Sequence, residues 1–152
     1  MTDNRLYTSR RDSIVNALVI LVKNITTANG YLSDLHEEVL PILKFWDEID
    51  DFPAVHINAG SETREYIGGG QKIRFLSIVL RCYVKEENTS VQELNKLLED
   101  VETLIENNSR LEYVDKQGTT QFTQQITVVS IDTDEGVFDP IGVGEMVVEV
   151  RY

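Results

Sequence analysis

The chain has 152 residues, of which 41% are hydrophobic and 26% are charged, and its formal net charge is −12. This length and composition predict one globular domain over residues 1–152 and exclude a membrane span, which needs roughly 20 consecutive apolar residues. The negative charge argues against a surface that binds nucleic acid by neutralising phosphates. The one cysteine cannot form an internal disulfide, so the composition fits folding in a reducing cytoplasm.

The first predicted element is a helix that follows a polar arm at residues 1–8. Ser9 has the position of an N-cap, with Asp12 three residues later as in a capping box. Apolar residues recur at helical spacing and predict one buried stripe, which consists of Ile14, Leu18, Leu21 and Ile25 and is widened by Val15, Val19 and Val22. We expect the helix to end at Asn29 and Gly30, because both residues tolerate the left-handed conformation.

The next segment is expected to lead into a glycine-rich hairpin. Residues 31–51 fit either a short strand or an irregular segment, and residues 52–58 are predicted as a strand that a proline opens. Ala59 and Gly60 indicate a turn. The three glycines at residues 68–70 are not followed by Lys-Ser or Lys-Thr and they precede a strand, so they predict a hairpin turn and not a phosphate loop.

Residues 71–85 form the clearest strand pattern in the sequence. One parity is wholly apolar and consists of Leu76, Ile78, Leu80, Cys82 and Val84. The other parity is mixed and consists of Phe75, Ser77, Val79, Arg81 and Tyr83. Side chains alternate between the two faces of a sheet. We therefore expect the apolar face to pack on helices, and the mixed face to be too apolar for solvent and too polar for a core.

A second helix is predicted after residues 86–89. Ser90 is expected to cap it, and Glu93 completes a capping box. Its buried stripe is expected to contain Val91, Leu94, Leu97, Leu98, Val101, Leu104 and Ile105. Its outer, solvated face is expected to carry Glu99, Asp100, Glu102 and Glu106.

The C-terminal third is predicted to be strands. Residues 111–114 and 121–129 fit two strands around a turn at residues 116–118, residues 131–144 fit a loop, and residues 146–152 fit a last strand. The predicted fold class is α+β, with a mainly antiparallel sheet of five or six strands and two helices packed on one face.

No histidine or cysteine pattern in the chain fits a catalytic or metal site. His36 and His56 are the two histidines, and neither has a paired partner at ligand spacing. Cys82 lies on the apolar face, where a thiolate is unfavourable, so we expect it to be buried and inert. We therefore predict no catalytic residue, no cofactor and no metal.

The predicted loop at residues 131–144, here called the acidic loop, contains Asp132, Asp134 and Asp139 and is the remaining candidate for a metal. Counted from Asp132, an EF-hand would need glycine at position six and glutamate at position twelve, but Gly136 falls at position five and Val143 at position twelve. The match fails. An irregular calcium site stays an alternative to the simpler interpretation, an acidic loop that contacts a partner or solvent.

Several stretches together resemble the tail terminator (tail completion) proteins of tailed bacteriophages. They are residues 52–55, 65–66, 72–75, the helix at 94–106, residues 132–136, and the closing strand at 144–152. The similarity extends over nearly the whole chain in element order and length. It implies one tail-terminator-like domain at residues 1–152.

The resemblance implies a structural virion protein at the tail–neck junction, assembled in the bacterial cytoplasm. Such proteins form a homo-oligomer, a hexameric ring, that caps the tail tube protein, ends its polymerisation and meets a head–tail connector or neck protein. DNA passes through the lumen without specific binding. The resemblance implies no reaction, no cofactor and no membrane, and it supplies no active residue to carry over.

The candidate sites come from the residues themselves. We expect Phe75, Val79, Arg81 and Tyr83 to form the subunit or tube interface, with Arg81 paired to a carboxylate such as Glu145 or Glu149. The acidic loop of Asp132, Asp134, Glu135 and Asp139 is expected to face the lumen or a rim.

Two alternatives remain open at this stage. One is another neck, head-completion or tube subunit of the same particle. A tube subunit should have long hairpins that close an inner barrel, and the sequence pattern does not predict them. The other is an unrelated small-molecule binding domain, which would need a pocket with convergent polar groups.

Overall fold

The structure, a computed structural model, describes residues 9–35 and 38–152. Its two helices are α1 (Arg10–Val22) and α2 (Ser90–Asn107). Its strands are β1 (Val39–Leu40), β2 (Ala54–Gly68), β3 (Gln71–Lys85), β4 (Glu112–Val114), β5 (Thr120–Phe122), β6 (Gln125–Thr133) and β7 (Ile141–Arg151). The predicted polar arm at residues 1–8 lies outside the described residues. Neither α1 nor α2 is long and apolar enough to cross a membrane.

Five strands form one sheet in the order β1-β2-β3-β7-β6, and β4 and β5 form a separate hairpin. Strand β1 runs parallel to β2, and the other neighbours in the sheet are antiparallel. Both helices pack their apolar residues on the same face of the sheet. The predicted α+β class, with a mainly antiparallel sheet covered on one face, is confirmed.

Strand β3 lies at the centre of the sheet and has the predicted bounds. Leu76, Ile78, Leu80 and Cys82 are fully buried, and Val84 is nearly so. They lie in one core with residues of α1 and α2, so the prediction that the apolar face packs on the helices is confirmed. This alternation fixes which side chains β3 presents on the opposite face.

Helix α1 begins as predicted and ends early. The Ser9 side chain accepts a hydrogen bond from the backbone N–H of Asp12 at 3.2 Å. The helix ends at Val22, and not at Asn29 and Gly30, because the backbone N–H groups of Asn24 and Ile25 bond to carbonyls three positions back and tighten the last turn. Gly30, with φ of 91°, ends a separate 3₁₀ turn at Thr27–Asn29.

Strand β2 does not turn at Ala59 and Gly60. It continues to Gly68 through a bulge, in which the partner of Ala59 is Ile78 and the next partnered residue, Glu62, lies opposite Leu76. The predicted hairpin turn at residues 68–70 is confirmed, with positive φ at all three glycines. The result is a long β2–β3 hairpin, of which the sequence predicted the turn but not the continuation of β2 through Ala59 and Gly60.

The predicted capping box of α2 is wrong. Thr89 holds the N-cap position without a side-chain bond, and the Ser90 hydroxyl instead donates to Asp139 Oδ1 at 2.6 Å. Val91 is 41% exposed, so it lies outside the buried stripe. Asp100 is 4% exposed, so it is not on the solvated face. Its two carboxylate oxygens accept backbone N–H bonds from the segment after α1.

The C-terminal strands differ from the predicted bounds. Residues 121–129 divide between β5 and β6, because Thr123 is buried and exchanges hydrogen bonds with the backbone of Leu111 and Ser109. The predicted loop at 131–144 shortens to residues 134–140. A Cβ at Gly142 would lie 2.8 Å from Val84 Cγ2 on β3 and 3.0 Å from the carbonyl oxygen of Ser90 on α2, so a glycine there lets α2 approach β7 closely.

Candidate functional site

The face of the sheet opposite the helices, here called the open face, carries the mixed residues of β3 and β7. Phe75, Val79 and Arg81 are half-buried on this face. Val79 lies opposite Val147 on β7, and the two valines form an apolar centre. The open face therefore has apolar side chains in its middle and charged side chains around them, which is typical of an interface core with a polar rim.

Arg81 makes the ion pair that the sequence predicted. Its Nε lies 3.3 Å from Glu145 Oε2, and the two residues are opposite each other on β3 and β7. Asp132 of β6 lies opposite Glu145 in turn. A partly exposed pair of this kind adds little stability but orients the charges on the open face.

Tyr83 differs from the other three predicted interface residues, because its own chain buries it. Its exposed fraction is 5%, and it packs in a small second cluster with Ile49 and Ala54. Burial raises the pKa of its hydroxyl. The chain itself supplies the cover that we expected from a neighbouring subunit, so Tyr83 has little surface left for a partner.

His56 lies beside Tyr83 and was assigned no role by the sequence. It is fully buried, its Nδ1 accepts a long hydrogen bond of 3.4 Å from the backbone N–H of Lys44, and its Nε2 lies 3.8 Å from Glu38 Oε1. Burial is the main cause that lowers the pKa of the imidazole. Within residues 9–35 and 38–152 no cluster of three metal-ligating side chains exists. His36 lies outside these residues.

The predicted acidic loop contains two kinds of carboxylate. Asp132 and Glu135 are exposed. Asp134 accepts hydrogen bonds from the backbone N–H groups of Phe138 at 3.1 Å and Val143 at 3.3 Å, and Asp139 accepts the Ser90 hydroxyl. Asp134 and Asp139 therefore hold the loop in shape and anchor it to the start of α2.

Cys82 is buried between the sheet and the helices. Desolvation raises the pKa of its thiol to about 12. Since the thiolate is the reactive form, the side chain is inert at neutral pH, in agreement with its predicted burial.

A basic pocket of about 400 Å³, which the sequence did not predict, lies at the C-terminal end of β7, opposite the acidic loop. It is lined by five cationic side chains, which are Arg10, Arg11, Arg64, Arg74 and Lys116, and by Ser9, Glu62, Asp115, Gln117 and Tyr152. These residues come from α1, from the β2–β3 hairpin, from the turn between β4 and β5, and from the end of the chain. No local sequence signal joins them.

Comparison with known proteins covers nearly the whole chain. A family model described as "Bacteriophage Tail Tube Terminator Protein" matches residues 8–152. The chain is 33% identical over 149 residues to the tail tube terminator protein p142 of Escherichia phage T5, which covers 93% of this chain and 92% of that protein. The matched range contains the open face, the acidic loop and the basic pocket.

Proposed function

Because this chain belongs to the bacteriophage tail tube terminator family, we propose that it forms a hexameric ring that caps the last layer of the tail tube. In this proposal the ring ends tube polymerisation and presents a surface to the head–tail connector or neck protein. The match over residues 8–152 is the observation that carries the proposal. The long β2–β3 hairpin alone would suit a tube subunit equally well, but the family match favours a terminator.

Members of this family are structural components of the phage tail. The protein is therefore part of the virion and associates with the tail tube. We further propose that residues 1–152 act as one domain, that assembly takes place in the host cytoplasm, and that the ring needs no cofactor and catalyses no reaction.

The open face is the proposed interface with a neighbouring subunit or with the tube. The half-buried Phe75 and Val79 would supply the apolar contact, and Arg81 with Glu145 would set the register. Tyr83 is buried by its own chain, so it would stabilise the strand that carries the interface without contacting the partner itself.

Native mass spectrometry of the purified protein, together with complementation of a phage that lacks the gene, tests this proposal. We expect a species six times the chain mass, or one that forms on addition of tube protein. We also expect phage without the gene to make tubes of uncontrolled length. A stable monomer in both conditions, with tubes of normal length in its absence, would contradict the ring.

We expect the protein to bind duplex DNA poorly at physiological salt, in keeping with a lumen that lets DNA pass. The formal charge of −12 repels the phosphates, and the exposed Asp132 and Glu135 would face the lumen or a rim together with Asp134 and Asp139. Non-specific binders reach dissociation constants of about 10⁻⁴ to 10⁻⁶ M through phosphate contacts. A gel-shift assay that detects micromolar or tighter binding would refute this expectation.

A further inference from the structure

The basic pocket concentrates positive charge in an acidic protein. Five of the chain's 14 lysine and arginine residues line it, against two carboxylates, Glu62 and Asp115. Arg64 and Arg74 lie directly opposite each other on β2 and β3, on one face of the hairpin. Like charges at directly opposed positions of a sheet destabilise it. With five cations against two carboxylates, the pocket has an excess of positive charge, which suits an anion.

The two carboxylates of the pocket are already occupied. Glu62 pairs with Arg64 at 3.0 Å and accepts the hydroxyl of Tyr152. Asp115 accepts the backbone N–H groups of Gln117 and Thr119, each at 2.9 Å. The bond from Thr119 is the main cause that lowers the pKa of Asp115, which therefore stays ionised at neutral pH.

Three of the cations remain available. Arg74 stacks on the Tyr152 ring, with its Cζ 5.5 Å from the ring centroid. Within residues 9–35 and 38–152, no carboxylate lies at salt-bridge distance from Arg10, Arg74 or Lys116. Arg10 and Lys116 are exposed at the rim of the pocket. A carboxylate that enters the pocket would meet charged donors from three different elements.

The opposite end of the molecule carries the complementary charge. Strand β7 has 11 residues, a length of about 35 Å at roughly 3.3 Å per residue, and runs from the acidic loop to the basic pocket. At its acidic end the backbone N–H of Glu86 bonds to Pro140 at 2.8 Å, which joins the end of β3 to the loop. Four of the exposed carboxylates near this end are here called the acidic end: Asp50, Asp51, Glu86 and Glu87.

We propose that the basic pocket binds the acidic end of the next copy of the chain, so that neighbouring subunits join head to tail. This rests on the proposed ring. Two different ends of one chain make a heterologous contact, which closes into a ring when the rotation between copies fits. A DNA phosphate is the weaker candidate, because the rest of the −12 surface repels a duplex around the pocket.

Charge-swap variants test the contact. Arg10→Glu with Lys116→Glu reverses two exposed cations of the pocket, and a glutamate at the start of α1 suits the helix dipole. Glu86→Lys with Glu87→Lys reverses two exposed residues of the acidic end. In each double variant, like charges meet at the contact between subunits. We therefore expect the dissociation constant of the assembly to rise about 100-fold or more above that of the natural chain. An equimolar mixture should assemble again, with the two variants alternating.

The control for the pocket variant is Lys23→Glu with Lys96→Glu, which lowers the total charge by the same amount on exposed residues outside the pocket. It should assemble as the natural chain does, and melting curves of all variants should show intact folds. If the natural chain forms rings and the pocket variant forms them equally, or if the mixture fails to reassemble, the head-to-tail contact is wrong while the ring survives.

Two further outcomes separate the hypotheses. If the natural chain is itself monomeric with and without tube protein, the proposed ring fails, and the pocket contact fails with it. The second outcome is that the pocket variant still forms rings but no longer shifts duplex DNA that the natural chain does shift. The pocket would then bind nucleic acid, and our inference would be overturned.

Discussion

Ile78→Asp should leave no cooperatively folded protomer. Ile78 is fully buried at the centre of β3, between Ala59 of β2 and Val148 of β7, and it faces the helices. Ile78 lies in the hydrophobic core, so an aspartate there would be a buried charge, which costs several kcal/mol. A domain of this kind has a total stability of about 5–15 kcal/mol. Circular dichroism should show no melting transition, or one lowered by tens of degrees.

Val79→Asp is the matched control, one residue along the same strand. Val79 lies half-buried on the open face between Asn58 and Val147, so an aspartate there keeps access to water. We expect melting within a few degrees of the natural chain and a clear loss of assembly, because an interface contact acts on association. Native mass and tail complementation measure that loss.

The pair of variants gives a clear decision. If Val79→Asp melts like Ile78→Asp, the open face is core and something in the chain covers it. If Val79→Asp changes neither stability nor assembly, the open face meets solvent and the subunit contact lies elsewhere, for example at the basic pocket. Only a folded variant with impaired assembly supports the open face as an interface.

The sequence predicted β3 to the residue because its signal is local. A period-two pattern over residues 71–85 predicts directly which side chains share a face, and the burial of side chains along β3 follows this pattern. The N-cap Ser9 and the turn at residues 68–70 were likewise readable, since a capping hydroxyl and glycines at positive φ are short-range requirements.

What the sequence did not reveal depends on contacts between distant segments. Gly142 was assigned to a loop, but it lies in β7 where Val84 and Ser90 leave no room for a side chain. Val91 occupies a position of the helical period that faces away from the sheet, near the acidic loop. The basic pocket gathers residues far apart in the chain, so no window of sequence could contain it.

Asp100 is the clearest case of a tertiary contact that contradicts the sequence pattern. The acidic residues around it on α2 predict a solvated face, and Glu99 and Glu106 do lie exposed. Asp100 instead turns toward the segment after α1, where its carboxylate accepts the backbone N–H of Leu32 at 3.0 Å and of Ser33 at 2.7 Å. These charge-assisted bonds join two segments that are almost 70 residues apart.

Asp100→Ala should therefore destabilise the fold by about 3–5 kcal/mol, since each charge-assisted bond contributes roughly 1.5–3 kcal/mol and the variant loses two such partly buried bonds. The midpoint of urea unfolding, at an unchanged slope, measures this. Asp100→Asn keeps one carbonyl acceptor and should fall between. Glu99→Ala, the exposed neighbour, should stay within about 0.5 kcal/mol of the natural chain. If Asp100→Ala and Glu99→Ala prove equally mild, the carboxylate does not hold the segment in solution, and the packing of residues 31–35 must rest on the apolar contacts of Tyr31 and Leu35 with the core.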